Sequence, residues 1–466
     1  MGVPLSAQSV ITRVVRVAAG PFAPGHLGEL TQQVPFEMVD AALAETRCTQ
    51  RRLRDLPSRV VIYLLLAGCL FAELGYRQVW QRLTAGLDGL PVADPSEAAL
   101  TQARRRVGPQ PLRALFDLLR GPAASVAGPV WWRGLLVCAL DGSTLSVADS
   151  AANLARFSKQ RGGCTGGSSY PMLRLVTVVA CGTRSVIDAV FGPISRGETR
   201  YAADLLAGLR SGMLVLADRN FAAGHLLTTV IGRDAHLLVR AKTGQGGPKL
   251  PVLHRLRDGS YRSVFGGQPV RVIDAEISIV TSAGQVTGVY RLITTLLDPG
   301  AYPAAAVLRL YHERWEIETA YLEIKSSILG GRVLRARTPA GIDQEMYALL
   351  VTYQILRTAM TDAATHDPSL DPDRASFTIA LNAARDQLVQ AAGVIADTVI
   401  DLIGKIGRLV LDNLLPDRRL RVNARTVKRA ISKYNARGPN IDRRTYQATI
   451  SMNVLAGSTL TTDPEP

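Results

Sequence analysis

The chain has 466 residues, of which 47% are hydrophobic, and its 54 lysines and arginines outnumber its 39 aspartates and glutamates by 15. A chain of this length and composition can bury more than one core, which excludes a disordered tail and predicts several domains. The excess of positive charge favours a polyanionic partner bound in a salt-sensitive way. A basic enzyme with no nucleic-acid partner is the alternative.

Cysteine usage and apolar runs indicate the compartment and exclude several classes of protein. The five cysteines are scattered, odd in number and never paired as CxxC, which is typical of a cytosolic protein without disulfides or a zinc site. The most apolar run, residues 60–72, is too short to span a bilayer, so we expect a buried helix and no membrane partner. Neither GxGxxG nor GxxxxGK followed by Ser or Thr occurs, so we expect no nucleotide cofactor.

The first part of the chain is predicted to be helical. After an arm of residues 1–26, residues 27–125 contain helical patterns separated by Pro and Gly breaks. The clearest of them begins after Ser96, a good N-cap. This helix carries three consecutive arginines: Arg104, Arg105 and Arg106. They suit a recognition helix that contacts phosphates or base edges, although a solvated basic helix explains the pattern equally well.

Two aspartates each follow a short apolar run that predicts a buried strand. Residues 135–140 precede Asp141, and residues 213–217 precede Asp218. Strands and helices alternate from 133 to 240, which favours a mixed sheet, and ligands of open α/β sheets collect at the carboxyl ends of strands. For either aspartate alone, a turn or a helix N-cap is the alternative.

Residues 241–303 separate the second of these strands from the next helix and are predicted to be extended. Residues 269–280 alternate between apolar and polar side chains, a Thr-Ser-Ala-Gly-Gln turn follows, and residues 286–297 are again rich in β-formers. The pattern predicts a hairpin within an inserted β-subdomain.

Residues 304–329 are predicted to form a helix with a polar row on one side. Tyr311, Arg314, Glu318 and Lys325 follow one another at steps of three, four and seven residues. At 100° per residue they fall within an arc of about 60°, and the apolar residues between them would anchor the helix in a core. We therefore expect the polar row to face a site. The alternative is a solvated face with an ordinary Glu–Arg pair worth about 0.2–0.5 kcal/mol.

The remaining residues, 366–466, are predicted to be a helical region that becomes basic towards its end. Between positions 418 and 437 there are eight lysines and arginines and no acid, and Lys428, Arg429 and Lys433 are among them. Such a run suits a clamp on DNA phosphates, with a solvated tail as the alternative.

The polar helix and the two aspartates together resemble a known family. The pattern Y-x2-R-x3-E-x6-K from Tyr311 to Lys325 is similar to the signature of insertion sequence 4 family transposases. Asp141, Asp218 and Glu318 resemble the D, D, E triad of these enzymes in the same order. Four further segments are similar to the family's flanking sequences: Asp141-Gly-Ser-Thr144, Tyr170-Pro-Met-Leu-Arg174, Gly182-Thr-Arg184 and Asp218-Arg-Asn-Phe221.

The resemblance covers about residues 27–445 and implies an α/β fold. We expect an RNase H-like mixed sheet flanked by helices, formed by residues 133–240 and 304–365 and interrupted by the β-subdomain of residues 241–303. A helical N-terminal DNA-binding domain and the helical C-terminal region would complete the chain.

The resemblance also implies an activity on double-stranded DNA. A bacterial transposase of this family, cytoplasmic and associated with the nucleoid, would bind the terminal inverted repeats of its element as a homodimer. It would cleave one strand and join the freed 3′-hydroxyl to the opposite strand or to target DNA. A metal-dependent endonuclease that cuts without joining and a non-catalytic DNA-binding protein are the alternatives.

Three gathered carboxylates suit this reaction. Hard oxygen ligands hold Mg²⁺ or Mn²⁺, and a pair of divalent ions can activate the attacking oxygen while stabilising the departing one. We expect two Mg²⁺ ions, with Mn²⁺ as a substitute, bridged by Asp141 and held singly by Asp218 and Glu318. Without metal, the crowded carboxylates are expected to raise one another's pKa.

The other members of the signature are expected to contact DNA. Arg314 would meet phosphate oxygens as a planar fork and Lys325 as a point charge, and Tyr311 would hydrogen-bond a phosphate near the scissile bond. Tyr290 occupies a place comparable to that of an aromatic which, in relatives, stacks on a flipped base. Such stacking is worth about 1–3 kcal/mol per base. A strand aromatic packed in the sheet is the alternative for Tyr290, so the hairpin route of cleavage stays open.

Overall fold

A mixed sheet flanked by helices occupies the centre of the protein, as the sequence predicts. The computed structural model describes residues 27–50, 54–85, 93–123, 131–159, 170–244, 246–282, 284–365, 372–391, 404–416, 421–423 and 445–455. Within these ranges the strands are β1 (Trp131–Trp132), β2 (Leu135–Ser146), β3 (Met172–Ala180), β4 (Val186–Pro193), β5 (Met213–Ala217), β6 (His236–Ala241), β7 (His254–Arg255), β8 (Tyr261–Phe265), β9 (Gln268–Thr281), β10 (Gly284–Thr294), β11 (Arg421–Asn423) and β12 (Thr445–Val454).

Helices come before the first strand, between the strands and, after β10, before the last two strands. Those in the described ranges are α1 (Phe36–Glu45), α2 (Ser58–Leu70), α3 (Tyr76–Thr84), α4 (Glu97–Val107), α5 (Gln110–Leu119), α6 (Ala151–Arg156), α7 (Glu198–Leu206), α8 (Gly224–Ile231), α9 (Ala304–Tyr311), α10 (Glu316–Leu322), α11 (Pro339–Thr365), α12 (Phe377–Ala391) and α13 (Lys405–Asp412). Short 3-10 helices cover Gly28–Gln32, Arg219–Phe221, His312–Trp315 and Pro372–Arg374, and a π-helix covers Glu323–Ile328.

The central strands are parallel and the outer strands antiparallel. The strand order is β11-β12-β9-β10-β6-β5-β2-β3-β4. The strands β2, β5 and β6 run parallel, and α7 and α8 lie in the connections that precede β5 and β6. Parallel neighbours require such crossovers, which place the carboxyl ends of β2 and β5 at the same edge of the sheet.

The two faces of the sheet are covered by two different helical layers. Along β2, Leu135, Val137 and Ala139 pack in the core that includes α2, α5 and α11, whereas Leu136 and Cys138 pack in the core that includes α7 and α8. This alternation follows from the two-residue period of a strand. The apolar run at residues 60–72 is confirmed as a buried helix, α2, in the first of these cores.

The inserted strands extend the same sheet. The predicted hairpin is confirmed as β9 and β10, and β10 pairs with β6 through the register Leu292 to Arg240. The backbone hydrogen bonds of the insertion therefore continue those of the central strands, so that a displacement of β10 would directly affect β6.

The C-terminal region is helical only in part. Its last described segment is β12, which pairs antiparallel with β9 in the register Ile450 to Ile279. Apolar Ile450, Met452 and Val454 alternate there with polar residues, which is the period of a strand and not of a helix. The helical prediction for residues 366–466 is therefore wrong at this strand, because it relied on the basic residues of the region and not on this alternation.

Candidate active site

The two predicted aspartates lie side by side where the parallel pairing of β2 and β5 ends. The last paired residues are Leu140 and Ala217; Asp141 is the next residue within β2, which continues to Ser146, and Asp218 directly follows the end of β5. Adjacent strands are about 4.8 Å apart, so the sheet itself brings these two residues together. The sequence interpretation placed each aspartate at the carboxyl end of a strand; this is correct for Asp218, whereas β2 continues for five residues beyond Asp141.

Each aspartate uses one carboxylate oxygen to accept a backbone hydrogen bond. Oδ1 of Asp141 accepts from the N–H of Gly142 at 2.8 Å, and Oδ1 of Asp218 accepts from the N–H of Arg219 at 2.6 Å. Asp218 thereby caps the short 3-10 helix that follows it. The capping role and a role at the site are compatible because the second oxygen of each group remains for another ligand.

The segment that carries the predicted polar row is helical from Ala304 to Ile328 but is not a regular α-helix. It tightens to a 3-10 helix at His312–Trp315 and widens to a π-helix at Glu323–Ile328. The arc of about 60° expected for an ideal helix therefore does not describe the real directions of the four side chains. Such interruptions are frequent at functional sites.

Arg314 lies among the three predicted acids. Its Nη2 donates to Oε1 of Glu318 at 3.1 Å, and its side chain is 10% exposed. Burial lowers the pKa of Arg314, but the charges of Tyr311, Glu318, Asp141 and Asp218 outweigh it and raise the pKa above its usual value. One guanidinium thus neutralises part of the negative charge of the group.

The pKa of Asp141 is raised to about 6. Burial is the largest cause, the Gly142 N–H and Arg314 lower it, and Glu318 and Glu198 raise it further. The sequence interpretation predicted the direction but assigned it to crowding among the three acids, which is a smaller contribution than desolvation. Glu198, at the start of α7, was not predicted as a neighbour of Asp141, and its Oε1 lies 3.7 Å from Nε of Arg174.

The carboxylates hold a guanidinium in this arrangement. Among the described residues, no three Asp, Glu, His or Cys side chains approach one another closely enough to hold a metal ion. Glu318, which is 42% exposed, is turned towards Arg314. The oxygen donors have the chemistry that a hard divalent cation requires, and the three carboxylates would have to move closer together to share one.

Two tyrosines connect the signature segment to the strands of the aspartates. The hydroxyl of Tyr311 donates to the carbonyl of Ala217 at 3.1 Å, directly before Asp218. The hydroxyl of Tyr321, which sequence reasoning missed, donates to the carbonyl of Asp141 itself at 2.7 Å. Tyr311 is buried, and burial raises its pKa well above its usual value. Because a phenol has one hydrogen, Tyr311 must release Ala217 before it can donate to a phosphate.

Lys325 and Tyr290 each contact a residue on a strand of the sheet. Nζ of Lys325 donates to Oγ of Ser143 at 3.1 Å, two residues beyond Asp141 on β2. The ring of the half-buried Tyr290 on β10 has the guanidinium carbon of Arg240 3.7 Å from its centroid. Arg240 therefore covers one face of the ring. Both base stacking on the other face and a packing role are compatible with this contact, and the sequence interpretation of Tyr290 stays a prediction.

The predicted arginines of α4 differ in their surroundings. Ser96 caps the helix as predicted, since its Oγ accepts from the N–H of Ala99 at 3.2 Å. The guanidinium carbon of Arg104 lies 3.9 Å from the centroid of the Tyr76 ring, and Nη2 of Arg106 donates to the carbonyl of Leu56 at 2.8 Å. Arg105 is exposed. Three further predicted contacts lie outside the described residues: Lys428, Arg429 and Lys433.

A buried ionic network, which sequence reasoning missed, lies behind the signature segment. Arg184 donates from Nε to Oε2 of Glu316 at 2.5 Å and from Nη1 to Oε1 of Glu323 at 3.3 Å, and its Nη2 reaches Oδ1 of Asp373 at 2.7 Å. Arg357 forms a second ion pair with Glu323. The Gly182-Thr-Arg184 segment was noted only as a flanking sequence, and its partners could not be identified because they lie more than a hundred residues away along the chain.

Comparisons with known proteins give two family matches and two curated relatives. Residues 24–117 match the family described as insertion element 4 transposase N-terminal, and residues 132–355 match the transposase DDE domain. The chain is 26% identical over 414 residues to Transposase InsG for insertion sequence element IS4 from Escherichia coli strain K12, covering 85% of this chain and 91% of that protein. It is 27% identical over 228 residues to InsZ of the same strain, described as a candidate transposase, covering 47% of this chain and 74% of InsZ.

A solved structure is also similar at a low level. The cryo-EM structure of the piggyBac transposase synaptic complex with hairpin DNA aligns with a TM-score of 0.42 and 11% identity over 87% of each chain. At that TM-score it adds nothing to the assignment, which depends on the sequence families. Within the described residues, no helix is both long and apolar enough to cross a bilayer.

Proposed function

The chain belongs to the insertion sequence 4 family of DDE transposases, and we propose that Asp141, Asp218 and Glu318 are its catalytic carboxylates, acting on the terminal inverted repeats of its element. The observation that carries this proposal is the register of β2 and β5, which places Asp141 and Asp218 directly after the last parallel pair, with Arg314 in the field of both and hydrogen-bonded to Glu318. A catalytic acid group of this kind needs all three carboxylates within reach of one another.

The transposase DDE domain implies the use of a divalent metal ion, and we propose Mg²⁺, with Mn²⁺ as a substitute and two ions per site. Asp141 would contact both ions, and Asp218 and Glu318 one each. When bound, such ions activate the attacking oxygen and stabilise the departing one. The second carboxylate oxygens of the two aspartates fit this role because their first oxygens are committed to backbone N–H groups.

Arg314 has two alternative anionic partners in this proposal. In the structure it neutralises Glu318, whereas a DNA phosphate would offer the same planar fork two acceptor oxygens. Transfer of the guanidinium from Glu318 to DNA would release the third carboxylate. Binding of DNA by Arg314 would thereby weaken its pairing with Glu318 and favour assembly of the acidic site.

The remaining side chains would hold the DNA in place. Lys325, next to Ser143 on β2, would present a point charge to a phosphate, and Tyr290 would contact the DNA end beside Arg240. Arg105 and Arg106 are the exposed arginines of α4; to meet DNA, Arg106 would have to leave the Leu56 carbonyl and Arg104 the Tyr76 ring. The basic residues near the C-terminus would add phosphate contacts: Lys428, Arg429 and Lys433.

The proposed division of the chain follows the same roles. Residues 27–125 would bind the transposon ends, residues 133–240 and 304–365 would form the catalytic domain, residues 241–303 the inserted β-subdomain, and residues 366–466 a further DNA-binding region. A homodimer would pair two ends, so that each active site meets its strand only in the assembled complex. This coupling would restrict cleavage to paired ends.

The experiment that tests the function uses the full chain, DNA bearing its element's end sequence and MgCl₂. We expect cleavage of end DNA and joining of a precleaved end to a target plasmid. Asp141→Ala should abolish both reactions without weakening DNA binding in a gel-shift assay. Asp204→Ala, which removes an exposed carboxylate from α7, serves as the matched control and should leave both reactions intact.

Two other outcomes would contradict the proposal. Cleavage without joining of precleaved ends would indicate an endonuclease, and DNA binding with no Mg²⁺-dependent cleavage in either protein would indicate a non-catalytic DNA-binding protein.

A further inference from the structure

We infer that Tyr321 is a positioning residue whose hydroxyl fixes the helix of Glu318 against the backbone of Asp141, an inference that rests on the proposed catalytic role of these two acids. The tyrosine is outside the Y-R-E-K signature and has no role in the function proposed above.

The hydroxyl of Tyr321 lies between two neighbouring strands of the sheet. It donates to the carbonyl of Asp141 at 2.7 Å and accepts from Oγ1 of Thr177 at 3.0 Å. Asp141 and Thr177 are directly paired across β2 and β3. Both hydrogen bonds are therefore made to one rung of the ladder, and that rung carries the catalytic aspartate.

The carbonyl of Asp141 belongs to the antiparallel pairing of β2 with β3, in which Asp141 lies opposite Thr177. The Tyr321 hydroxyl adds a hydrogen bond to this carbonyl and accepts one from the Thr177 side chain, so it links the helix to both strands at the position of Asp141. Tyr321 is itself 6% exposed and cannot move away without opening the core.

The position of Tyr321 on α10 gives the hydroxyl direct influence on Glu318. The two residues are three positions apart, which places them about one turn from each other on the same helix. Tyr311, ten residues before Tyr321, makes the corresponding contact with the carbonyl of Ala217. The segment that carries Glu318 is thus hydrogen-bonded at both ends to the backbone beside one of the two aspartates. This arrangement sets the separation of the three carboxylates.

Tyr321 is the better of the two tyrosines for a test. Tyr311 belongs to the predicted DNA contacts, so its loss would alter more than one property. Tyr321→Phe removes one oxygen atom and keeps the ring that packs in the core. The matched control is Tyr63→Phe, because Tyr63 on α2 is equally enclosed and its hydroxyl donates to a backbone carbonyl, that of Val34, at 2.6 Å.

The measurement is the Mg²⁺ concentration that gives half-maximal cleavage of end DNA, with the dissociation constant for DNA measured in parallel. We expect Tyr321→Phe to raise that concentration about tenfold, the usual scale for loss of a group that orients a ligand. DNA affinity should stay unchanged, and Tyr63→Phe should change neither value. Thr177→Val should shift the midpoint in the same direction by less, and Thr177→Ser, which keeps the donor, should restore it.

A second readout does not depend on cleavage. MgCl₂ should raise the melting temperature of the DNA-free wild type and of Tyr63→Phe more than that of Tyr321→Phe at equal concentration, because a ligand that binds only the folded state stabilises it in proportion to its affinity. The two variants should lose similar amounts of stability without Mg²⁺.

The outcomes separate this inference from the proposed function. If the wild type cleaves with Mg²⁺ and Tyr321→Phe has the same Mg²⁺ midpoint and the same Mg²⁺-induced rise in melting temperature, the positioning role is wrong and the function stands. A wild type without Mg²⁺-dependent cleavage overturns both.

Discussion

Glu316 and Glu318 are two residues apart in one helix, yet their environments are opposite. Glu316 is fully buried and paired with Arg184, whereas Glu318 is 42% exposed and hydrogen-bonded to Arg314 at the site. Glu323, about two turns beyond Glu316, is buried on the same side as Glu316 and paired with Arg184 and Arg357. The difference shows that the surroundings of an acid in this segment depend on the side of the helix that it faces and not on its sequence neighbours.

The physical reason lies in how each charge is compensated. A buried carboxylate is tolerated only when cations and hydrogen bonds replace its hydration, which fixes it in place and leaves no free oxygen for a ligand. Tyr353 adds one such bond, from its hydroxyl to Oε2 of Glu323 at 3.1 Å. Glu318 keeps its access to solvent and can exchange its partner. The buried ion pairs on one side of the helix thus fix the helix in place, while Glu318 on the other side stays able to change its partner.

The largest effect is expected from a substitution of Glu318, on the exposed side of the helix, and concerns the rate of DNA cleavage. Glu318→Gln should lower the single-turnover rate of end cleavage at least about 10³-fold, because a neutral amide is a poor ligand for a hard cation and its transition-state stabilisation is lost. Its free energy of unfolding should stay within about 0.5 kcal/mol of wild type, as for other exposed positions.

The matched variant on the buried side is Glu316→Gln. It should lower the free energy of unfolding by about 3 kcal/mol, since the buried Arg184 loses one of its anions, while the cleavage rate of the folded protein stays close to wild type. Urea denaturation and single-turnover cleavage measure the two quantities. If Glu316→Gln lost cleavage as completely as Glu318→Gln at full stability, the division between the two sides would be wrong.

Removing the guanidinium of Arg184, which three acids share, should lower the stability of the protein further. Arg184→Met leaves Glu316, Glu323 and Asp373 without their common partner, so we expect the free energy of unfolding to fall by about 3–5 kcal/mol. The control is Arg196→Met, whose pair with Asp204 is exposed and should contribute no more than about 1 kcal/mol. Equal losses in the two variants would show that the buried network is not what holds the helix.

The sequence was sufficient to predict which residues lie near the exposed side of the helix, but not which residues pair with its buried side. Asp141 and Asp218 could be predicted as neighbours because apolar runs mark both strands and parallel strands end at one edge. The partners of Glu316 and Glu323 could not, because Arg184 and Arg357 come from other elements and a single sequence does not show which distant residues meet. In a pattern of letters, the four glutamates of the segment look alike: Glu313, Glu316, Glu318 and Glu323.

The shape of the segment was equally beyond sequence reasoning. The 3-10 turn at His312–Trp315 and the π turn at Glu323–Ile328 accompany hydrogen bonds from Tyr311 and Tyr321 to strand backbones, and those are tertiary contacts. By contrast, the strand β12 was accessible in principle, since apolar and polar residues alternate along it. The prediction of a DNA clamp was based on the basic residues before this strand and did not take the two-residue alternation into account.

The smallest expected effect concerns the pH dependence of the exposed side. The pKa of Asp141 is raised to about 6 from an ordinary value of 3.8, mainly by burial. Because the folded pKa lies above the unfolded one, protonated Asp141 favours the folded state fully below the unfolded pKa, and this contribution is lost as the pH rises through about 6. In metal-free protein, Asp141→Asn should therefore be more stable than wild type above pH 6 and equally stable near pH 3.8.

Metal binding should show the opposite trend with pH, because a cation needs the ionised carboxylate. The affinity of the wild type for Mg²⁺, measured by calorimetry without DNA, should fall about tenfold for each pH unit below 6 as one proton competes for the site. Asp204→Ala, which keeps Asp141, should reproduce this dependence. If the affinity for Mg²⁺ did not change between pH 5 and pH 7, Asp141 would already be ionised at pH 5. The effect of Arg314 on the pKa of Asp141 would then outweigh the effects of burial and of the neighbouring carboxylates.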